Sequence, residues 1–166
     1  MKHFSPFGIC LALLVVFTPM MAQQKNLSPH FDKAAYYRSL AGINLDEINS
    51  RLLLLNESTV AEKNAYEGAL MMKKAGLINK AKDKLSTFKT GRNKLETAIS
   101  NEPQNAEYSF LRLVIQENAP KIVRYRQNLK SDAVLIVTSF KQLPPDVQEA
   151  IRNYSRKSAT LRPGDF

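Results

Sequence analysis

The sequence predicts an all-α protein, an antiparallel helical bundle or short stack of helical hairpins with about seven helices. Three observations carry that expectation. Apolar residues recur three and four positions apart along most of the chain, the spacing that collects them on one face of a helix. Residues that cap helix starts stand ahead of these runs, and Gly or Pro closes them. One segment alone, residues 134–140 (VLIVTSF), has the β-branched content of a buried strand. No second strand pattern exists to pair with it, and an unpaired buried strand leaves backbone groups unsatisfied, so it too is read as helix.

From residue 32 the elements follow in order. Asp32 caps a short helix that runs to Ala41, with Gly42 as its stop. Asn44 and Glu47 fit a capping box ahead of Leu45, Ile48, Leu52 and Leu55. Glu47 also stands four residues before Arg51, the spacing of a helical ion pair. Thr59 and Glu62 repeat the capping signal before a face of Ala61, Ala65, Ala69 and Met72, with Tyr66 and Leu70 beside it. Gly76 is the expected end of that helix. Residues 79–101 read as one long helix or two short ones. The stripe of Ile78, Ala81, Leu85 and Phe88 resumes at Leu95, Ala98 and Ile99, but Arg92 interrupts it beside Gly91 and marks a bend. Pro103 closes the element.

Asn105 to Asn118 is the most apolar helix. Tyr108, Phe110, Leu111, Leu113, Val114 and Ile115 cover most of its circumference, which predicts a central position. Pro120 restarts the chain, with Ile122, Val123 and Leu129 on the next face. Ser131 is the expected cap of a helix from Asp132. Pro144-Pro145-Asp146 opens the last helix, with Val147, Ala150, Ile151 and Tyr154 inward. The helical domain is thus 32–157, preceded by a polar linker over 23–31 and followed by a flexible tail over 158–166.

Residues 1–22 read as a cleavable secretory signal. Lys2 and His3 give the basic start, Gly8 to Phe17 (GICLALLVVF) the apolar run, Pro19 its break and Ala22 the small residue before the cut. The run falls short of the ~20 residues that span a bilayer. Cys10, the one cysteine, lies inside it, so a mature chain beginning at Gln23 relies on its core rather than on disulfides. The expected location is the periplasm or the cell exterior, with no transmembrane span left after cleavage.

The chain carries a formal net charge of +9, and its cations gather in residues 63–94 and 118–166. Such a surface attracts anionic partners. Lys73, Lys74, Lys80, Lys82 and Lys84 are the densest group, and are candidate contacts for anionic lipid or polysaccharide of the cell envelope. Nucleic acid is not an expected partner, because its binding adds stacking aromatics to such a cluster. A polar stripe crosses the apolar central helix: Asn105, Ser109, Arg112 and Gln116 share one face. They are the candidate lining of a ligand groove, where Arg112 is suited to hold a carboxylate or phosphate by two parallel hydrogen bonds.

No catalytic residue, metal site or cofactor is predicted. His30, the one histidine beyond the signal, sits in the linker, and no cysteine nucleophile or Gly-x-Ser-x-Gly turn accompanies it. Scattered acids with one histidine do not make a metal site. Gly91-Arg92-Asn93-Lys94 lacks the first glycine and the Ser/Thr of a phosphate-binding loop. Asp32, Asp46, Asp132 and Asp146 stand at helix starts, where capping and the helix dipole account for them. Glu107 and Glu117 flank the central helix and are the acids left over for hydrolytic chemistry.

The segment Gly91–Asn105 resembles the second helix of a tetratricopeptide repeat, with Gly91, Leu95 and Ala98 followed by Pro103 and Asn105. The resemblance implies stacked helical hairpins and a peptide-binding groove. The companion helix departs from the family pattern: Ala75, Asn79 and Lys82 stand where aromatic, small and aromatic residues belong. The next period, at Ser109, Leu113 and Gln116, carries no second copy. The sequence thus predicts an exported, non-catalytic helical interaction module that binds protein or peptide in a groove between helices. The alternatives are an envelope protein that binds anionic lipid or polysaccharide through a basic face, and an unrecognised hydrolase.

Overall fold

The structure, a computed structural model, describes Met1 and residues 31–166. The expected signal, and the linker up to His30, lie outside the described residues. The described residues form an all-α fold. Its α-helices are α1 (Lys33–Ala41), α2 (Leu45–Glu57), α3 (Lys63–Leu77), α4 (Ala81–Asn101), α5 (Ala106–Asn118), α6 (Leu129–Ser139) and α7 (Pro145–Ser155). Single 3-10 turns stand at Lys121–Val123, Phe140–Gln142 and Pro163–Asp165. No helix of the described residues is long and apolar enough to cross a membrane.

The helix starts are written in side chains. Asp32 accepts from the Ala35 N–H at 2.8 Å and opens α1. Asn44 accepts from the N–H groups of Asp46 and Glu47 and opens α2. Only half of the expected box forms there, because the Glu47 carboxylate takes the Ser39 hydroxyl at 2.8 Å and ties α2 back to α1. The Thr59–Glu62 box does not form. Helix α3 starts later, at Lys63, and Glu62 instead meets Lys33 at 3.3 Å. Gly76 does not stop α3, which runs on through it to Leu77.

Residues 81–101 form one helix, and Gly91 serves packing rather than a bend. A Cβ on Gly91 would lie 2.6 Å from the Gly68 carbonyl oxygen, and a Cβ on Gly68 would lie 2.7 Å from the Gly91 oxygen. The two glycines let the backbones of α3 and α4 touch, and these helices form the most extensive pair in the fold. Arg92, the apparent break in the stripe, faces outward and lies over the Tyr125 ring at 4.8 Å. The first turn of α4 is less settled. It has no side-chain cap and carries Lys80, Lys82 and Lys84 at the positive end of the helix dipole, with Asp83 as the acid. Lys82→Glu is therefore expected to raise stability by about 0.5 kcal/mol. A urea midpoint that falls in this variant would contradict the electrostatic reading.

Helix α5 is central, as its apolar circumference predicts: every residue from Ala106 to Gln116 is buried. Its neighbours wrap it, with α6 along one side, α3 and α4 behind, α7 against part of the remaining face and α1 reaching it through Tyr37. Two expectations fail just after it. Residues 120–128 hold one 3-10 turn rather than a helix, and Arg124 takes a left-handed conformation with φ 47°. Helix α6 then begins at Leu129, before Ser131, whose hydroxyl donates to the Asn128 carbonyl instead of capping. The β-branched run from Val134 is helical, since the helix supplies backbone partners that a lone strand lacks.

Both ends of the described chain pack. Phe31, at the edge of the expected linker, stacks on Tyr66 with ring centroids 4.8 Å apart. The expected flexible tail is docked: Leu161 is 1% exposed and Phe166 lies 4.7 Å from Phe140. Ser158 anchors it, donating to Glu117 and accepting from the Thr160 and Leu161 N–H groups.

Candidate functional site

The polar stripe of α5 faces its neighbours, not an open groove. Arg112 donates to both Asp132 oxygens, at 2.8 and 2.6 Å, and to Glu96 at 3.0 Å. Burial pulls its pKa down, but Asp132 and then Glu96 more than compensate and hold it charged. The guanidinium thus clasps α4, α5 and α6 together. Gln116, fully buried, exchanges hydrogen bonds with the Asn128 side chain and backbone and holds the loop before α6. Ser109 is buried, and Asn105 caps α5 by accepting from Glu107 and Tyr108.

The two acids left over in the sequence also have partners. Glu107 is 4% exposed and accepts from Tyr37 at 2.8 Å, Tyr66 at 2.6 Å and Lys33 at 3.0 Å. Glu117 accepts from Tyr154 at 2.7 Å and Ser158 at 2.9 Å. They stand at opposite ends of α5, roughly 15 Å apart by the helix rise. Glycoside hydrolysis needs two carboxylates within about 10 Å, one on each side of a bond. Among the described residues no group of His, Cys, Asp or Glu is placed to hold a metal ion.

The lysine cluster divides. Lys80, Lys82 and Lys84 are exposed on the first turn of α4, and Lys74 borders a shallow depression with Glu67 and Lys94. Lys73 instead lines a cleft of about 440 Å³ over α5 between α1 and α7. The other face of α5, Phe110, Val114 and Asn118, forms the floor. Helix α1 supplies Ala34, Tyr37, Arg38 and Ala41, all on one of its faces. Helix α7 supplies Asp146, Glu149, Ala150 and Asn153, and Lys157 follows in the turn beyond it. The Tyr37, Phe110 and Tyr154 rings run in series along the wall, with 5.9 Å between successive centroids. Tyr154 is fixed by its bonds to Glu117 and Asn118, and Tyr37 by its bond to Glu107.

No family model, curated protein or solved structure matches this chain. The cleft has therefore to be read from its own chemistry. Its volume lies in the range of small-ligand sites. Its walls hold Arg38, Lys73, Lys157, Asp146 and Glu149, and none of these makes an ion pair among the described residues. Several partly buried charges elsewhere are paired, Lys33 with Glu107 and Glu62, Lys94 with Glu67, Arg112 with Asp132 and Glu96. Of the cleft charges only Lys73 is partly buried, and the other four are exposed. Asp146 and Glu149 lie one turn apart on the same wall.

Lys73 reports the imbalance. Burial lowers its pKa, and the neighbouring Lys157 lowers it further. A lysine depressed in the folded state costs stability while both states are charged, and the cost fades as pH rises from its folded pKa to the ordinary lysine value. Lys73→Met, which keeps the apolar stem, is therefore expected to raise the melting temperature at pH 7 and to lose that advantage towards pH 11. A variant less stable than the parent at pH 7 would show that the ammonium has a partner.

Sequence reasoning did not find this cleft. Its signal was present on α7, where Asp146, Glu149, Asn153 and Lys157 repeat at helical spacing as a charged face. Capping explained Asp146 sufficiently to hide the pattern.

Proposed function

We propose that the protein is an exported, non-catalytic binding module that takes a peptide in the cleft between α1, α5 and α7. The observation that carries this reading is the contrast within one cleft: an apolar, aromatic wall rimmed by five charges that have no ion-pair partner among the described residues. Four of these charges are solvent-exposed and only Lys73 is partly buried, so a ligand gains from the rim by charge complementarity rather than by relief of burial. Peptides offer both halves, apolar side chains for the rings and charges for the rim. The signal-like pattern of residues 1–22 supports the extracytoplasmic location.

The test is selection of displayed random peptides against the purified protein, with Ala150→Trp as the comparison. Ala150 lines the cleft and is partly exposed, so an indole there fills the space from the wall. Peptides retained by the parent and lost from Ala150→Trp support the reading. Peptides retained equally by both, or no enriched peptide, would sink it.

A further inference from the structure

Four of the five cleft charges, all but Arg38 of α1, are ordered along α7. Asp146 and Glu149 stand in the first turns of α7, and Lys157 lies just past its last turn, beside Lys73 of α3. The acidic and basic ends are separated by three helical turns, roughly 16 Å at the rise of an α-helix. Between them the wall is Ala150, Tyr154 and Asn153, and the Asn153 side chain makes no hydrogen bond among the described residues. Lys157 leans over the Tyr154 ring at 5.5 Å, which holds its ammonium at the cleft wall.

Resting on the peptide-binding reading above, we propose that the ligand lies along α7 in one direction, with a carboxylate between Lys73 and Lys157 and a cationic group at Asp146 and Glu149. An extended chain advances about 3.3 Å per residue, so about five residues separate the two charged groups. The two ammonium groups repel each other, and a carboxylate between them turns that repulsion into two charge-assisted hydrogen bonds. At the other end the two carboxylates share one helix face and attract one cation. Asn153 offers the amide chemistry that a passing peptide backbone needs. A fatty acid satisfies only the lysine end and leaves the acidic end unpaired. The lysine end accepts a carboxylate from a chain terminus or from an acidic side chain, and the difference is measurable.

The experiment uses pooled hexapeptides over the immobilised protein, with retention read by mass spectrometry. One pool has Arg first, four random positions and Leu last with a free carboxylate. The others are the same pool amidated, an amidated pool ending in Asp, and a reversed pool with Glu first and an amidated Arg last. We expect retention of the free-acid pool, and at least a tenfold loss on amidation, in the reversed pool, and with Lys73→Met. Rescue of the amidated peptides by terminal Asp supports the proposal and assigns the carboxylate to a side chain. Equal retention of free-acid, amidated and reversed pools, lost from Ala150→Trp, overturns the polarity and leaves the peptide cleft standing. Retention by Ala150→Trp as strong as by the parent, or by neither, overturns both.

Discussion

Gly91→Ala is expected to destabilise the protein by about 3 kcal/mol, the upper end of the cost of overpacking. That lowers the melting temperature by roughly 10 °C for a domain of this size. The added methyl would meet the Gly68 oxygen at 2.6 Å, the Met71 Cβ at 2.8 Å and the Met72 nitrogen at 2.9 Å. Two of these are backbone atoms of a helix and cannot swing aside as a side chain would, so α3 and α4 must separate along their whole contact. The helix propensity of alanine works in the opposite direction, by about 1 kcal/mol. A control isolates the two effects. Gly76 sits in the last turn of α3 with nothing within 4 Å of a built Cβ and no positive φ. Gly76→Ala keeps the propensity gain without the clash, and is expected to stabilise by about 0.5–1 kcal/mol. Thermal unfolding of the two variants should therefore move in opposite directions. A Gly91→Ala protein as stable as the parent would mean that the helix contact relaxes freely.

The glycine pair shows where sequence reading stops. Helical periodicity located α1 to α5 and α7, and the lack of a strand partner placed α6. The helix expected after Pro120 does not form, and the caps at Asp32 and Asn44 marked the starts of α1 and α2 to the residue. Those signals are local: a side chain meets a backbone group two or three positions away. Gly91 carried a local ambiguity, a flexible residue beside a misplaced arginine, and nothing in its own neighbourhood distinguishes a bend from a contact. Its meaning depends on Gly68, on another helix. The loop after Pro120 failed for the same reason, since Gln116 and Arg126 bind it to α5 through contacts that no period reveals.

The candidate site shows a sharper version of this limit. The stripe of Asn105, Ser109, Arg112 and Gln116 was legible as a stripe, but polarity alone does not say whether such a face lines a groove or binds a neighbour. Asp132 decides it: an acid at the start of α6 lies against Arg112, and the face closes. The groove opens instead over the apolar side of the same helix. Apolar residues there looked like core because core and ligand floor share one composition. Phe110 and Val114 are in fact buried core residues, and only their edges reach the floor of the cleft between α1 and α7.

Glu107→Ala is expected to cost about 3–5 kcal/mol, the range for removing one partner of a buried ion pair. The carboxylate is the acceptor on which α1 and α3 meet α5: Tyr37 and Lys33 come from α1, and Tyr66 from α3. Removing it leaves two phenol hydroxyls without an acceptor in a buried site and strands an ammonium beside them. Lys33 still reaches Glu62, which keeps the cost below that of a wholly isolated charge. Glu107→Gln retains one oxygen and the shape, so it is expected to cost about 1–2 kcal/mol. Tyr37→Phe and Tyr66→Phe should each cost about 1 kcal/mol, and their sum should fall short of the Ala value because Lys33 is untouched. The pH dependence follows from Lys33. Burial alone lowers its pKa, but Glu107 and then Glu62 raise it above the ordinary lysine value. Its contribution is therefore fully present below that value and lost only as pH rises through the folded pKa. Parent and Glu107→Ala should keep a constant gap in unfolding free energy from pH 6 to 9, and the gap should narrow above pH 11. Because Tyr37 is both a donor to Glu107 and a wall of the cleft, Glu107→Gln also tests whether the site depends on this buried acid. Chemical denaturation gives the stability, and peptide retention on the same folded variant gives the site. A loss of retention in Glu107→Gln under conditions where it remains folded would show that the carboxylate sets the position of the Tyr37 ring.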